Sequence, residues 1–181
     1  METYKAVFVD YLRKEMARRG KECEAAVMAR LSVEDQQAFR ALLPMAWISP
    51  QLGARILEAA GAVLFADHED PIFELGRGQA HNDMTGIYRI LMKVATVPMV
   101  IGRAATLFGT YHRKGAAAVE HQSGAANGVF LIKDYADLPA GIRRSVGGFI
   151  TGLLELTGAK DIRVKSDESN PALWRWEIAW R

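Results

Sequence analysis

Apolar residues recur every three to four positions through the first two-thirds of the chain, then at every second position towards its end. The first stripe, Tyr4, Val7, Phe8, Tyr11, Leu12 and Met16, predicts a helix over Glu2–Arg19, with Arg18, Arg19 and Lys21 at its C-terminal end and Gly20 as its stop. Ser32 followed by Glu34 and Asp35 reads as a capped helix start, and Pro44 closes that segment. Ser49-Pro50 opens another helix, a serine cap with proline at the first helical position, and its stripe runs from Leu52 to Leu64. The polar run Asp67–Asp70 breaks it, and Pro71 or Ile72 starts a further helical stretch towards His81. Between Met84 and Ala95, Ile87, Tyr88, Ile90, Leu91 and Val94 cover more than one side, a pattern that predicts a central helix. A last helix of this half, Met99–Tyr111, carries Ile101, Ala104, Ala105, Phe108 and His112 on one stripe, and Gly115 ends the run.

After Gly115 the period falls to two. Strands are expected over Ala116–Gln122 and Val129–Asp134 around the turn-forming Ser123–Gly128. A helix opened by Asp137-Leu138-Pro139 follows and runs to Gly158. Two further strands, Asp161–Lys165 and Ala172–Arg181, finish the chain, the last with Trp174, Trp176, Ile178 and Trp180 on one face. The order, helices and then β-β-α-β-β, predicts an α+β fold: N-terminal helices packed on one face of a four-stranded antiparallel sheet. No repeat or linker interrupts it, so a single domain is expected over 1–181, helical over 1–115 and sheet plus helix over 116–181.

Composition removes several function classes. The charge is near balance, with 23 Lys+Arg against 21 Asp+Glu, so no basic stripe points to nucleic acid. Cys23 is the single cysteine, which excludes an internal disulfide and any multi-cysteine metal site and agrees with a reducing, cytoplasmic setting. The early charges exclude a signal h-region, and Val94–Phe108 is too short and too interrupted to span a membrane. The histidines His68, His81, His112 and His121 show no metal-ligand spacing, no serine sits in a nucleophile elbow, and the acids fall on solvated faces. Gly76-Arg77-Gly78 lacks the preceding strand of a phosphate loop, and Gly147-Gly148 reads as a site of close helix packing. His112, at a helix end on an apolar stripe, suits either a haem ligand or an imidazole satisfied by protein hydrogen bonds, the latter being the plainer reading.

Softer patterns carry a resemblance. Leu43–Pro50, Glu74–Arg77, Asp83–Arg89, Leu107–Gly115 and the ending Trp174–Trp180 resemble an uncharacterised bacterial family of about this length, of myxobacterial type. That family resembles a wider group: the 4-vinyl reductase domain, the haem nitric-oxide-binding sensors and the small subunits of the TRAPP transport complex. The resemblance implies helices on a four-stranded antiparallel sheet, a deep apolar pocket for haem, an acyl chain or an aromatic effector, and homodimers. Two departures stand out. Ser169–Leu173 lacks the cysteines typical of the 4-vinyl reductase domain, and Tyr111-His112-Arg113 does not reproduce the Tyr-x-Ser-x-Arg motif that clamps haem propionates in the sensors.

The expected function is therefore a non-catalytic sensory or regulatory domain that binds a hydrophobic or aromatic small molecule and needs no cofactor or metal. Its expected wall residues are Trp47, Phe65, Tyr88, Phe108, Tyr111 and Trp176, with Arg89 or Arg103 facing an anionic head. The alternatives are a haem-based gas sensor with His112 as axial ligand, and an interaction module acting through a helical dimer.

Overall fold

A computed structural model describes the whole chain except Thr85, Gly86, Glu168 and Pro171, and the side chains of Ile87, Tyr88, Arg89 and Leu91. Helices α1 (Phe8–Arg19), α2 (Lys21–Met28), α3 (Val33–Ala41), α4 (Pro50–Leu64), α5 (Pro71–Asp83), α6 (Ile87–Val94) and α7 (Val97–Tyr111) precede the sheet, and α8 (Ala140–Leu156) interrupts it. The predicted caps form where a short polar side chain was placed to make them. Ser32 Oγ accepts from Asp35 N at 3.1 Å and Ser49 Oγ from Leu52 N at 3.2 Å; Asp70, read from sequence only as part of a polar break, also caps α5, its Oδ1 accepting from Phe73 N at 3.1 Å.

The main sheet is four-stranded and antiparallel, in the order β3 (Ala116–Glu120), β4 (Asn127–Lys133), β6 (Leu173–Ala179), β5 (Arg163–Asp167). Phe130 lies opposite Trp176 and Ile132 opposite Trp174, so the alternation of β4 and β6 puts one aromatic-rich face against the helices. The fold class is the expected one: α+β, with helices on an antiparallel sheet.

Helix α5 crosses α8 at very short range, and glycines permit it. A Cβ on Gly76 would collide with the Ser145 carbonyl, and one on Gly148 with the Phe73 carbonyl. This close crossing is what the Gly147-Gly148 pair was expected to allow. Arg77 extends the contact by bridging Glu74 and Glu155, and His81 Nε2 lies 2.9 Å from Glu155 Oε2.

Three expectations are corrected. The first helix begins at Phe8, because the chain before it forms β1 (Tyr4–Lys5) against β2 (Trp47–Ile48). Thr3 N donates to Ile48 O at 3.0 Å and Arg113 N to Thr3 O at 2.9 Å, so tertiary pairing satisfies that backbone and overrides the helical periodicity. The described side chains of α6 depart from the central helix expected: Ile90 is 65% and Val94 76% exposed, because they lie on the side of this eight-residue helix turned to solvent. Asp137 does not cap α8, whose N-cap is Pro139 with no side-chain cap bond; Asp137 pairs with Lys114 instead.

Candidate ligand pocket

Where α7 passes over β4 and α8, the packing leaves a cavity of about 80 Å3. Leu107, Phe108 and Tyr111 reach it from α7, Val146, Phe149 and Ile150 from α8, and Phe130 from β4. These are the apolar positions of two helical stripes and one strand face, so the wall follows from the same patterning that builds the core. Among the described lining residues, five side chains carry polar atoms: Gln79, Ser145, His112, Tyr4 and Tyr111. Among the described lining residues there is no lysine, arginine, aspartate or glutamate.

His112 is the group with the most unusual surroundings. It caps the C-terminus of α7 and pairs in an isolated antiparallel bridge with Tyr4, which carries it under the N-terminal strand. Its ring stacks on Phe108 at 4.2 Å and on Tyr4 at 5.1 Å, and meets the edge of Tyr135 at 5.7 Å. The residue is 7% exposed, and its Nδ1 is buried with no hydrogen-bond partner. Burial without a compensating anion pushes its pKa down to about 3, so the imidazole is neutral at physiological pH. The plainer sequence reading, a histidine satisfied by protein bonds, is thereby corrected at Nδ1.

A second polar feature lies just behind the wall. Asp83 accepts from Gln79 Nε2 at 3.2 Å and from the Tyr111 hydroxyl at 3.4 Å. Desolvation raises the Asp83 pKa against the lowering effect of these bonds, and burial with the nearby Asp83 charge raises that of Tyr111.

Of the residues expected from sequence, Phe108, Tyr111 and His112 meet at the cavity. Trp176 is buried at 1% exposure beside Phe130, with ring centroids 5.7 Å apart, one layer behind the wall. Trp47, Phe65 and Arg103 are not brought to it. Trp47 lies on β2, with the Arg113 guanidinium 4.0 Å from its ring. Phe65 ends α4 and packs under Arg19 and against His68. Arg103 is exposed on α7. The reason is shared: α4 packs against α5 and β2 against β1, while the hollow lies between α7, β4 and α8. Tyr88 and Arg89 fall outside the described side chains. Sequence reasoning did not single out Phe130 and Phe149, although both stood on recognised apolar faces. Gln79 and Ser145 carried no signal, because only tertiary contact distinguishes them from surface polar residues.

The chain matches no family model and no curated protein sequence. Solved structures do resemble it. A mutant of the H-NOX protein from K. algicida, in the Fe(II) unliganded form, aligns at 10% identity over 98% of this chain and 96% of that one, with a TM-score of 0.67. The H-NOX protein from S. oneidensis in the Fe(II)NO ligation state aligns at 10% identity, 97% and 98% coverage, and 0.66. A structure described for the modulation of heme redox potential through porphyrin distortion aligns at 9% identity, 97% and 96% coverage, and 0.60.

This chain has the H-NOX fold. The likeness supports the haem nitric-oxide-binding branch of the resemblance read from sequence; the family of myxobacterial type finds no matching model. Whether the pocket suits haem is a question for its own residues. The buried nitrogen of His112 is the kind of donor haem iron takes. Room and counter-charge do not fit: the cavity is smaller than the ~150 Å3 hollow that admits benzene, and no described lining residue is a cation for the propionates. The described lining of the pocket does not fit a haem. Among the described residues no cluster of metal-binding side chains is gathered, and no helix is long and apolar enough to cross a membrane.

Proposed function

We propose that the chain is a non-catalytic sensory domain that binds a small hydrophobic molecule in the cavity between α7, α8 and β4. One observation carries the reading: an apolar hollow beside a neutral, buried imidazole whose Nδ1 has no protein partner. Burial of the guest's apolar surface, at roughly 25 cal/mol per Å2, provides the driving force, and the polar atoms of the wall orient it. The lining supplies no matched acid, base and nucleophile, which supports a binding role over an enzymatic one. A cytoplasmic setting and a homodimer belong to the same proposal; exposed Ile90, Val94 and Met99 are apolar surface that a second copy would cover, and sedimentation measures it.

A second reading is a haem-based gas sensor with His112 as axial ligand. The fold likeness favours it, since these neighbours are H-NOX proteins. The size of the cavity and the uncharged lining favour the first. One preparation separates the two. Purified protein is mixed with haem and followed in the Soret region, and separately titrated with xenon, small enough for the hollow, while the xenon-129 resonance is recorded. The first reading expects no bound-haem spectrum and a saturable response to xenon. A stoichiometric Soret band lost in His112→Leu reverses the assignment, and silence in both titrations removes the pocket from the function.

A further inference from the structure

The segment Leu43–Pro50 lies away from the pocket, and its surface has no part in the function proposed above. The β1–β2 ribbon buries Tyr4 and Ile48 on one face and turns Lys5 and Trp47, directly opposite one another, to the other. The half-buried Trp47 ring carries the Arg113 guanidinium at 4.0 Å and the Lys5 ammonium at 5.6 Å. Just before β2, Leu43–Ala46 closes a tight turn, Ala46 N donating to Leu43 O at 2.9 Å with Pro44 in the second position. Leu43 is 69% and Met45 66% exposed. Single exposed apolar side chains need no explanation, but these two project from one proline-stiffened turn that runs directly into Trp47.

The charges around this tip lean one way. Lys5, Arg13, Arg40 and Arg113 make no ion pair among the described residues. Arg13 is tied beside the turn, donating to the Phe39 and Arg40 carbonyls at the end of α3. Asp10 and Asp137, on neighbouring elements, are held by Lys14 and Lys114. With the exposed Glu2, the surroundings carry six cations against three carboxylates, whereas the whole chain is near balance.

We propose that this turn docks the domain on an anionic lipid surface. Leu43 and Met45 enter the apolar layer, Trp47 rests at the level of the headgroups, and Lys5, Arg40 and Arg113 meet the lipid anions. An apolar tip, an aromatic base and a cationic surround follow the order of polarity met on leaving such a bilayer. A protein partner would need a cavity cut to a convex tip, whereas a bilayer admits one by parting its headgroups. Two apolar side chains and a few cations give reversible binding that salt weakens.

The test uses the whole chain. It is expected to sediment with vesicles of phosphatidylcholine carrying about 30% phosphatidylserine, and to stay in solution with phosphatidylcholine alone. Leu43→Ser combined with Met45→Ser, both at exposed positions, is expected to weaken binding by about tenfold or more. Arg113→Glu is expected to weaken it to a similar degree, about tenfold. In the wild-type protein, bromine on the acyl chains is expected to quench tryptophan emission, and Trp47→Phe to remove most of that quenching, since Trp174 and Trp176 are buried. Failure to sediment with the anionic vesicles overturns the proposal, as does full binding by the double serine variant or quenching that survives Trp47→Phe. Polyglutamate that displaces the vesicles, with no quenching by bromine in the vesicle complex, assigns the surface to an acidic protein and overturns the lipid partner.

Discussion

Helix α8 presents two unlike faces, and the contrast between them organises the protein. Towards α5 it offers Gly148 and Gly152, and the two backbones approach until no β-carbon fits. Towards α7 it offers Val146, Phe149, Ile150 and Leu153, large side chains that nonetheless leave a hollow. Small residues close one interface completely; bulky ones, held apart by the span between α7 and the sheet, leave the other incomplete. A tight contact on one side of a helix fixes its position, so it cannot shift to fill a void on the other. The α5–α8 crossing thus works as the rigid frame and the α7–α8 gap as the pocket.

Variants can break this contrast. The largest effect is expected from Gly148→Ala, which sets a methyl group against the Phe73 carbonyl and forces the crossing apart. A loss of about 3 kcal/mol or more in urea unfolding is the expected outcome, beyond that of an ordinary overpacked core site. A result under 1 kcal/mol would show that the crossing is not the frame.

Acid comes next, and it acts on the pocket side. The folded chain holds His112 neutral down to about pH 3, whereas the unfolded chain protonates it near 6.5. Between those values the unfolded state binds the extra proton, so this group removes stability as pH falls, by about 1.4 kcal/mol per unit. Asp35, buried and paired with Arg55 at 2.7 Å, has a lowered pKa and loses stability in the same direction as pH falls through its folded value. His112→Leu isolates the histidine: its unfolding free energy is expected to fall less steeply than that of the wild type between pH 6 and pH 4. Parallel slopes would place His112 in water.

A smaller change in stability, with a complete loss of binding, is expected from Ala104→Ile, which extends a lining side chain into the cavity. Stability should change by less than about 1 kcal/mol, because the added carbons enter vacant space. Xenon titration gives the decisive readout, and retained affinity would move the guest elsewhere. The smallest effect belongs to a residue outside both regions. Arg113→Ala removes the nearer of two cations from Trp47, leaving Lys5 at 5.6 Å, and is expected to cost about 0.5–1 kcal/mol, with binding unchanged.

Much of the fold was legible because its signals are local. Ser32, Ser49 and Pro71 mark helix starts through their own backbones, and the alternation of Trp174, Trp176 and Ile178 declares the buried face of a strand without reference to its partner. The pocket was legible only in part. Phe108, Tyr111 and His112 share one helix end, so recognising one placed the others nearby. Trp47 and Phe65 carried the same aromatic signal and sit elsewhere, because an aromatic side chain states that it seeks cover and not which cover it finds. The helical reading of Tyr4 failed for a related reason. Its stripe was genuine, yet the ring is buried from a strand, stacked on Phe8 and His112.

The amino-acid order by itself determined the Ser32 and Ser49 helix caps, the switch from period 3.6 to period 2, the α+β class and the small residues that let α8 meet α5. Each of these depends on groups a few residues apart. Tertiary structure alone decided that a hollow lies between α7 and α8, that Gln79 and Ser145 face it, and that His112 Nδ1 is left without a partner. A void is the volume remaining after distant elements have packed, and an unpartnered atom is defined by every neighbour that fails to reach it, so neither is a property of any stretch of chain.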